Sequence, residues 1–193
     1  MGKFDGKVAI ITGGGKGGGI GYGLSTAFAK EGCNLVITGR NVQKLEDAKA
    51  ELEREYGVKV LACQADGGVE EQVADVVKQA ADAFGRIDFL INNAQSLPPS
   101  APVEDTLYES MYLAWSTGTI GSLNFMQACF PYMKEQGEGR IINFASATGM
   151  FGYAGQLAYA SNKESIRGLT KIAAKEWAKY GITVNVCLPG AES

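Results

Sequence analysis

The chain has 193 residues, 46% hydrophobic and 20% charged, with a formal net charge of -3, a length and composition that suit one globular domain with one substantial core. So small a negative charge offers no broad basic field, which argues against nucleic acid or an acidic membrane surface as partner. No apolar run is long enough to span a bilayer, and the opening Met1-Gly-Lys-Phe-Asp-Gly lacks the apolar heart of a signal peptide, so a cytoplasmic location is the default expectation.

Taken in order, the chain alternates strand-like apolar runs with helical patterns. Lys7 to Thr12 is the first strand, and a glycine-dense stretch and a helix follow it. Asn34 to Thr38 is the second strand. Leu45, Ala48, Leu52 and Tyr56 then repeat at helical spacing up to Gly57. Lys59 to Cys63 is the third strand, followed by a helix carrying Val69, Val73, Val76, Ala80 and Ala83 and closed by Gly85. Phe89 to Asn92, Arg140 to Phe144 and Thr183 to Leu188 complete six short strands, with Pro98 to Pro102 a loop and Gly181 a helix stop. Repeated strand–helix–strand units with short links imply an α/β fold in three layers, a doubly wound parallel sheet with helices on both faces, as in the Rossmann dinucleotide fold. Nothing divides the chain, so residues 1–193 are expected to form a single domain.

Histidine is absent, which removes the histidine triads and the commonest metal ligand. Proton transfer near neutral pH then falls to Tyr, Lys, Asp, Glu or Cys with a shifted pKa. Cys33, Cys63, Cys129 and Cys187 are too scattered for a zinc or redox motif and are expected to be buried small hydrophobes, with no metal site. Eight glycines lie between Gly13 and Gly23, after a strand and before a helix. There they let the backbone turn tightly and set a pyrophosphate on the helix N-terminus; a merely flexible loop is the plainer alternative. The second strand runs into Gly39-Arg40, where folds preferring NAD usually carry an acidic residue. The Arg40 guanidinium suits a 2′-phosphate, with Lys16 in the glycine loop placed to reinforce it, although a solvated loop cation fits as well. NADP is favoured, with NAD as the alternative.

At this point the residues resemble the classical short-chain dehydrogenase/reductase family along essentially the whole chain. The resemblance rests on Thr12-Gly13 with Gly19-Ile20-Gly21, Asp66 after the third strand, Asn92-Asn93-Ala94, Ser146, Tyr159-x-x-x-Lys163, Asn185 and Pro189-Gly190, all in family order. It implies that Tyr159 exchanges a proton with the substrate oxygen, that Ser146 donates a hydrogen bond to that oxygen, and that Lys163 acidifies Tyr159 and holds the nicotinamide ribose. It further implies cofactor contacts from Gly13, Lys16, Gly19, Ile20, Gly21, Arg40, Asp66, Gly67, Asn93, Ala94, Tyr159, Lys163, Pro189 and Gly190. Asp66 before two glycines is equally a turn former. The spacing has its own logic, since positions i and i+4 of a helix share a face. Making a phenol of pKa near 10 active at neutral pH needs ~4 kcal/mol, about what a unit charge ~4 Å away supplies at an effective dielectric of ~20.

Four departures qualify the resemblance. The glycine loop is two residues longer than usual. Gln95 follows Asn-Asn-Ala where the family has glycine. Gly118 falls where the family has an active-site asparagine that holds a water of its proton relay; Ser116 or Thr117 is a candidate substitute. The sequence stops soon after Pro189-Gly190, so the family's covering segment and a seventh strand are absent from it. The expected function is hydride transfer between NADP(H) and a carbonyl or secondary alcohol, on a small-molecule substrate, by a homodimer or homotetramer in which apolar helices around Leu123 to Met133 and Ile166 to Trp177 pair across subunits. The alternatives are an NAD-preferring alcohol dehydrogenase and a dinucleotide-binding module with little catalysis.

Overall fold

The computed structural model describes residues 2–17 and 19–190. Its strands are β1 (Val8–Thr12), β2 (Asn34–Gly39), β3 (Val60–Gln64), β4 (Phe89–Asn92), β5 (Gly139–Phe144) and β6 (Ile182–Cys187). Its helices are α1 (Ile20–Lys30), α2 (Val42–Tyr56), α3 (Glu70–Phe84), α4 (Tyr108–Trp115), α5 (Gly121–Gln136), α6 (Ala147–Phe151) and α7 (Leu157–Trp177). The six strands lie in the order β3-β2-β1-β4-β5-β6, and every pairing is parallel. The chain starts at β1, winds outward to β3, then returns to β4 on the other side of β1. The connections therefore leave the carboxyl ends of β1 and β4 in opposite directions, which opens the crevice where such sheets bind ligands.

An all-parallel sheet needs cover on both faces, and the alternation along β1 supplies both. Val8 and Ile10 join a core with Val73 and Val76 of α3, Met126 and Cys129 of α5 and Ala173 of α7. Ala9 and Ile11 join a second core with Ala29 of α1 and Leu45 and Leu52 of α2. The helix stops read from sequence fall where expected, Gly57, Gly85 and Gly181 all having φ near +70°. Asn41 starts α2 by accepting a hydrogen bond from Lys44 N. Cys33, Cys63 and Cys129 are buried and Cys187 partly so; burial pushes the Cys33 thiol up to about 12.

Two features lay beyond the sequence patterns. Between α4 and α5 the backbone takes a single wide π turn, Ser116–Ile120, a device common at functional sites. The apolar residues expected to pair across subunits mostly pack on their own sheet: Phe125, Met126, Met133 and Ile166 are buried, and Phe130 stacks on Trp177 at 4.6 Å. Ile172 alone among the large ones there is well exposed, at 60%.

Candidate active site

The carboxyl ends of the strands surround a cleft of about 330 Å³, lined among others by Gly13, Arg40, Asp66, Gly67, Asn93 and Ala94. Thr12 holds its floor together: its Oγ1 accepts from the backbone N–H of Asn93 and of Ala94, each at 2.9 Å, while Asn93 Nδ2 donates to Thr12 O at 3.0 Å. Two glycines are sterically required here. Gly13 has φ 70°, and a Cβ on Gly21 would lie 2.1 Å from Gly13 O, so α1 can approach the β1 turn only without a side chain. The N-terminus of α1 carries no acidic residue in its first turn and Gly19 provides no side-chain cap, so no side chain there satisfies its first N–H groups. The Thr38 hydroxyl lines the same cleft, buried and without a partner. A glycine cradle, a bare helix N-terminus and an orphaned hydroxyl fit a dinucleotide.

Arg40 borders a shallow recess with Gln64, Asp66 and Gln72. Asp66 Oδ1 accepts from Gly68 N at 2.9 Å, so the residue shapes its turn as well as facing the cleft. Lys16 is committed elsewhere. Its Nζ contacts Glu51 of α2 at 2.5 Å, and it lines neither cavity, so the expected reinforcement of Arg40 is not what the side-chain geometry provides.

A second recess of about 220 Å³ is lined by Ile20, Asn93, Gln95, Leu97, Phe144, Ala145, Tyr159, Lys163 and Pro189. Tyr159 and Lys163, four apart on α7, share its wall, and Lys163 Nζ lies 5.5 Å from the Tyr159 ring centroid. The ammonium is buried at 4% exposure. Among the described residues its one hydrogen bond is to Phe144 O, at 2.7 Å. No carboxylate among the described residues neutralises it, and burial lowers its pKa from 10.5 to about 8. Ser146 stands just past β5 as the N-cap of α6, its Oγ accepting from Thr148 N at 3.2 Å. The cap occupies a lone pair and leaves the O–H free to donate. Gly19, Gly21, Gly190 and Ser146 are not part of the lining of either cavity, although Ile20 and Pro189 beside them are.

At the departures, both hydroxyls named as substitutes for the missing asparagine are engaged on their own helix. Thr117 Oγ1 donates to Leu113 O at 2.7 Å and Ser116 Oγ to the same carbonyl at 3.4 Å. What fills the notch at Gly118 is Asn162 of α7, a residue the sequence reading passed over. A Cβ on Gly118 would lie 2.4 Å from Asn162 Nδ2 and 2.6 Å from its Oδ1. The signal was present in the sequence: a glycine where a side chain is expected, and an amide next to the motif lysine. Only the folded chain shows that the two meet.

The model of the short chain dehydrogenase family matches residues 7–192. A 12alpha-hydroxysteroid dehydrogenase from a Clostridium species is 52% identical over 98% of this chain and 74% of its own length. Levodione reductase from Leifsonia aquatica is 34% identical over 98% and 70%. Among solved structures, NAD+-bound xylitol dehydrogenase superposes with a TM-score of 0.93 at 35% identity, covering 97% of this chain and 71% of that one. L-sorbose reductase from Gluconobacter frateurii, complexed with NADPH and L-sorbose, gives 0.92 at 32%, covering 98% and 71%. Among the described residues no helix is long and apolar enough to cross a membrane. The chain belongs to the short-chain dehydrogenase/reductase family, oxidoreductases that act on alcohol and carbonyl groups.

Proposed function

We propose that the chain interconverts a bulky apolar ketone and its secondary alcohol with NADP(H), Tyr159 acting as general acid and base. The observation that carries this reading is the Lys163 ammonium held over the Tyr159 ring inside a recess at the carboxyl edge of the sheet. When bound, the nicotinamide ring supplies or accepts the hydride. Tyr159 gives its proton to the carbonyl oxygen in reduction or takes one from the hydroxyl in oxidation. The Ser146 O–H steadies charge developing on that oxygen. Lys163, fixed by Phe144 O, stabilises the charge left on the phenol oxygen and can donate to the ribose. Gly13, Gly19, Ile20 and Gly21 would hold the pyrophosphate, Asp66, Gly67, Asn93 and Ala94 the adenosine side, Pro189 and Gly190 the nicotinamide side, and Arg40 a 2′-phosphate.

The substrate class rests on the rim. Leu97 lines the Tyr159 recess and is exposed, as are Met150, Phe151 and Tyr153 on the segment between Ser146 and Tyr159. The two sides are tied together by Ala101 N donating to Gly155 O at 3.0 Å and Gln156 Nε2 to Ser100 Oγ at 2.7 Å. An apolar rim of this kind suits a rigid polycyclic alcohol, in keeping with the hydroxysteroid named for the 52% identical relative. One cavity system within one sheet also fits the reading of residues 1–193 as a single dinucleotide-binding domain, the free cysteines fit a cytoplasmic setting, and a homodimer or homotetramer is kept as a proposal.

The test is turnover of hydroxysteroids and of small polyols with NADP and with NAD, by the parent chain and by Tyr159→Phe. Hydroxysteroid turnover that Tyr159→Phe lowers by ~10²–10⁴, while cofactor affinity is kept, is expected. Full activity in that variant would remove Tyr159 from its role, and a preference for polyols would remove the apolar-substrate reading.

A further inference from the structure

The glycine turn between β1 and α1 is fastened from outside the cleft, by a carboxylate of α2. Glu51 Oε2 meets Lys16 Nζ at 2.5 Å, and Glu51 Oε1 accepts from the Tyr22 hydroxyl at 2.5 Å. Lys16 precedes Gly19-Ile20-Gly21 and Tyr22 follows it, so one side chain holds both flanks of the turn. The loop backbone leans on the same helix. Lys16 N donates to Lys44 O at 2.8 Å, and a Cβ on Gly15 would lie 3.3 Å from that carbonyl. Lys44 and Glu51 stand about two turns apart on one face of α2, so the Lys16 side chain lies along the helix. Lys16, Tyr22 and Glu51 line neither the cleft nor its two recesses.

An ion pair whose side chains are 50% and 25% exposed adds little to global stability. Its local effect is of another kind. Glycines lose more conformational freedom on ordering than other residues, and freedom lost on binding is subtracted from affinity. A glycine loop already fixed by contacts outside the cleft loses less when a ligand arrives. Charge alone argues the other way, because a carboxylate near a phosphate site repels the phosphate. The protonation states suit a fixed contact. The Lys16 ammonium, then the Tyr22 hydroxyl, hold the Glu51 carboxyl below its usual range. Burial and then Glu51 push the Tyr22 phenol up to about 12, so it stays a donor.

We propose that Glu51 is a positioning residue for the dinucleotide, setting the glycine turn through Lys16 and Tyr22 before the cofactor arrives. The inference rests on the reading that this turn holds the pyrophosphate. Lys16 then serves the site through Glu51 and not by touching a phosphate. The pyrophosphate is common to NADP and NAD, so Glu51 supports both alike. Helix α2 begins at the Asn41 cap beside Arg40, so the same helix also fixes the turn relative to the corner where Arg40 stands.

The experiment measures Kd for NADPH and for NADH by fluorescence titration, and kcat at saturating cofactor, in the parent, Glu51→Gln and Glu51→Ala. Glu51→Ala is expected to raise both Kd values about five- to tenfold with kcat unchanged. Glu51→Gln keeps an acceptor for Tyr22 and loses the charge, so it should fall between. Adding Lys16→Met to Glu51→Ala should weaken binding no further. Simple electrostatics predicts the opposite sign, tighter binding once the carboxylate is gone, so Kd values that fall or stay put overturn the proposal. A rise confined to one cofactor overturns it as well. So does a further loss from Lys16→Met, which would put Lys16 on a phosphate itself. A rise in Kd matched by falls in kcat and in melting temperature would mean general loosening of the fold, and also overturns it. A parent that binds neither dinucleotide overturns this inference and the reading of the turn together, whereas binding indifferent to Glu51 overturns this inference alone.

Discussion

The two ends of the sheet treat buried charge in opposite ways. At the amino edge, Asp88 is 4% exposed and saturated with donors: Val8 N at 2.9 Å, Arg86 Nε at 2.7 Å and Lys7 Nζ at 2.9 Å. Glu138 closes the cluster by meeting Lys7 at 2.7 Å and Arg86 at 3.2 Å. Burial alone would raise the Asp88 pKa, but the cations and the Val8 N–H outweigh it and hold it below the usual 3.8. At the carboxyl edge, Lys163 is as deeply buried, receives one carbonyl and no carboxylate among the described residues, and is pushed down to about 8. One edge pairs its charges and strengthens the fold. The other leaves a buried cation without a carboxylate partner among the described residues, at a cost in stability.

Exchanging the roles of these edges would show the contrast. The largest effect belongs to Tyr159→Phe, whose loss of ~10²–10⁴ in turnover should leave the melting temperature where it was. Asp88→Asn should do the reverse. Breaking a buried ion cluster from one side costs 3–5 kcal/mol, which the partial exposure of Lys7 and Arg86 reduces to about 2–3 kcal/mol. Cofactor affinity should hold, and denaturant unfolding reads the loss. Because the folded pKa of Asp88 is lowered, its contribution is complete above the unfolded value and fades as pH falls through the folded one. The variant and parent should therefore converge in stability in acid, and a gap that persists there would exclude the charge as its source.

Lys163→Met tests the same contrast from the other edge. A lysine titrating at about 8 instead of 10.5 carries a folding penalty of roughly 3 kcal/mol. The penalty is complete below the folded pKa and disappears as pH rises towards the unfolded one. Losing the bond to Phe144 O returns about 1 kcal/mol, so the variant should be more stable than the parent by about 2 kcal/mol at pH 7 and lose that advantage towards pH 10.5. It should also be inactive, and the parent's kcat/KM should decline above pH about 8 as Lys163 deprotonates. A variant less stable at every pH would mean that packing, not charge, governs the site.

How much of this was legible depended on range. The strands, the glycine stops and the Tyr159–Lys163 pair are local patterns, short apolar runs, single glycines or residues four apart, and the fold realises them. The amino-edge cluster was not read from sequence, because Lys7, Asp88 and Glu138 meet only once β1, β4 and β5 are parallel neighbours. The exchange between Gly118 and Asn162 is of the same kind, two residues 44 positions apart in number, each unremarked alone. Lys16 shows the opposite error. Its place in the glycine loop suggested a phosphate contact, but Glu51, one helix, one strand and most of a second helix later, takes the ammonium.

With Lys16 engaged by Glu51, the proposed preference for NADP would rest mainly on Arg40, and its expected effect is the smallest. Arg40 is exposed, at the end of β2, with its carbonyl anchored by Gln64 Nε2 at 3.1 Å. The backbone is thus fixed and the guanidinium remains available to a 2′-phosphate. A solvent-exposed ionic contact is worth about 1 kcal/mol or somewhat more when it is charge-assisted. Arg40→Asp removes the attraction, adds repulsion of the phosphate, and supplies the acceptor that a free ribose hydroxyl needs. The ratio of Kd values for NADP and NAD should therefore move by about ten- to a hundredfold towards NAD, where each tenfold is 1.4 kcal/mol. High salt should shrink the parent's preference and leave the variant's nearly unchanged. A ratio untouched by the substitution would make Arg40 a solvated loop cation and turn attention to the NAD-preferring alternative.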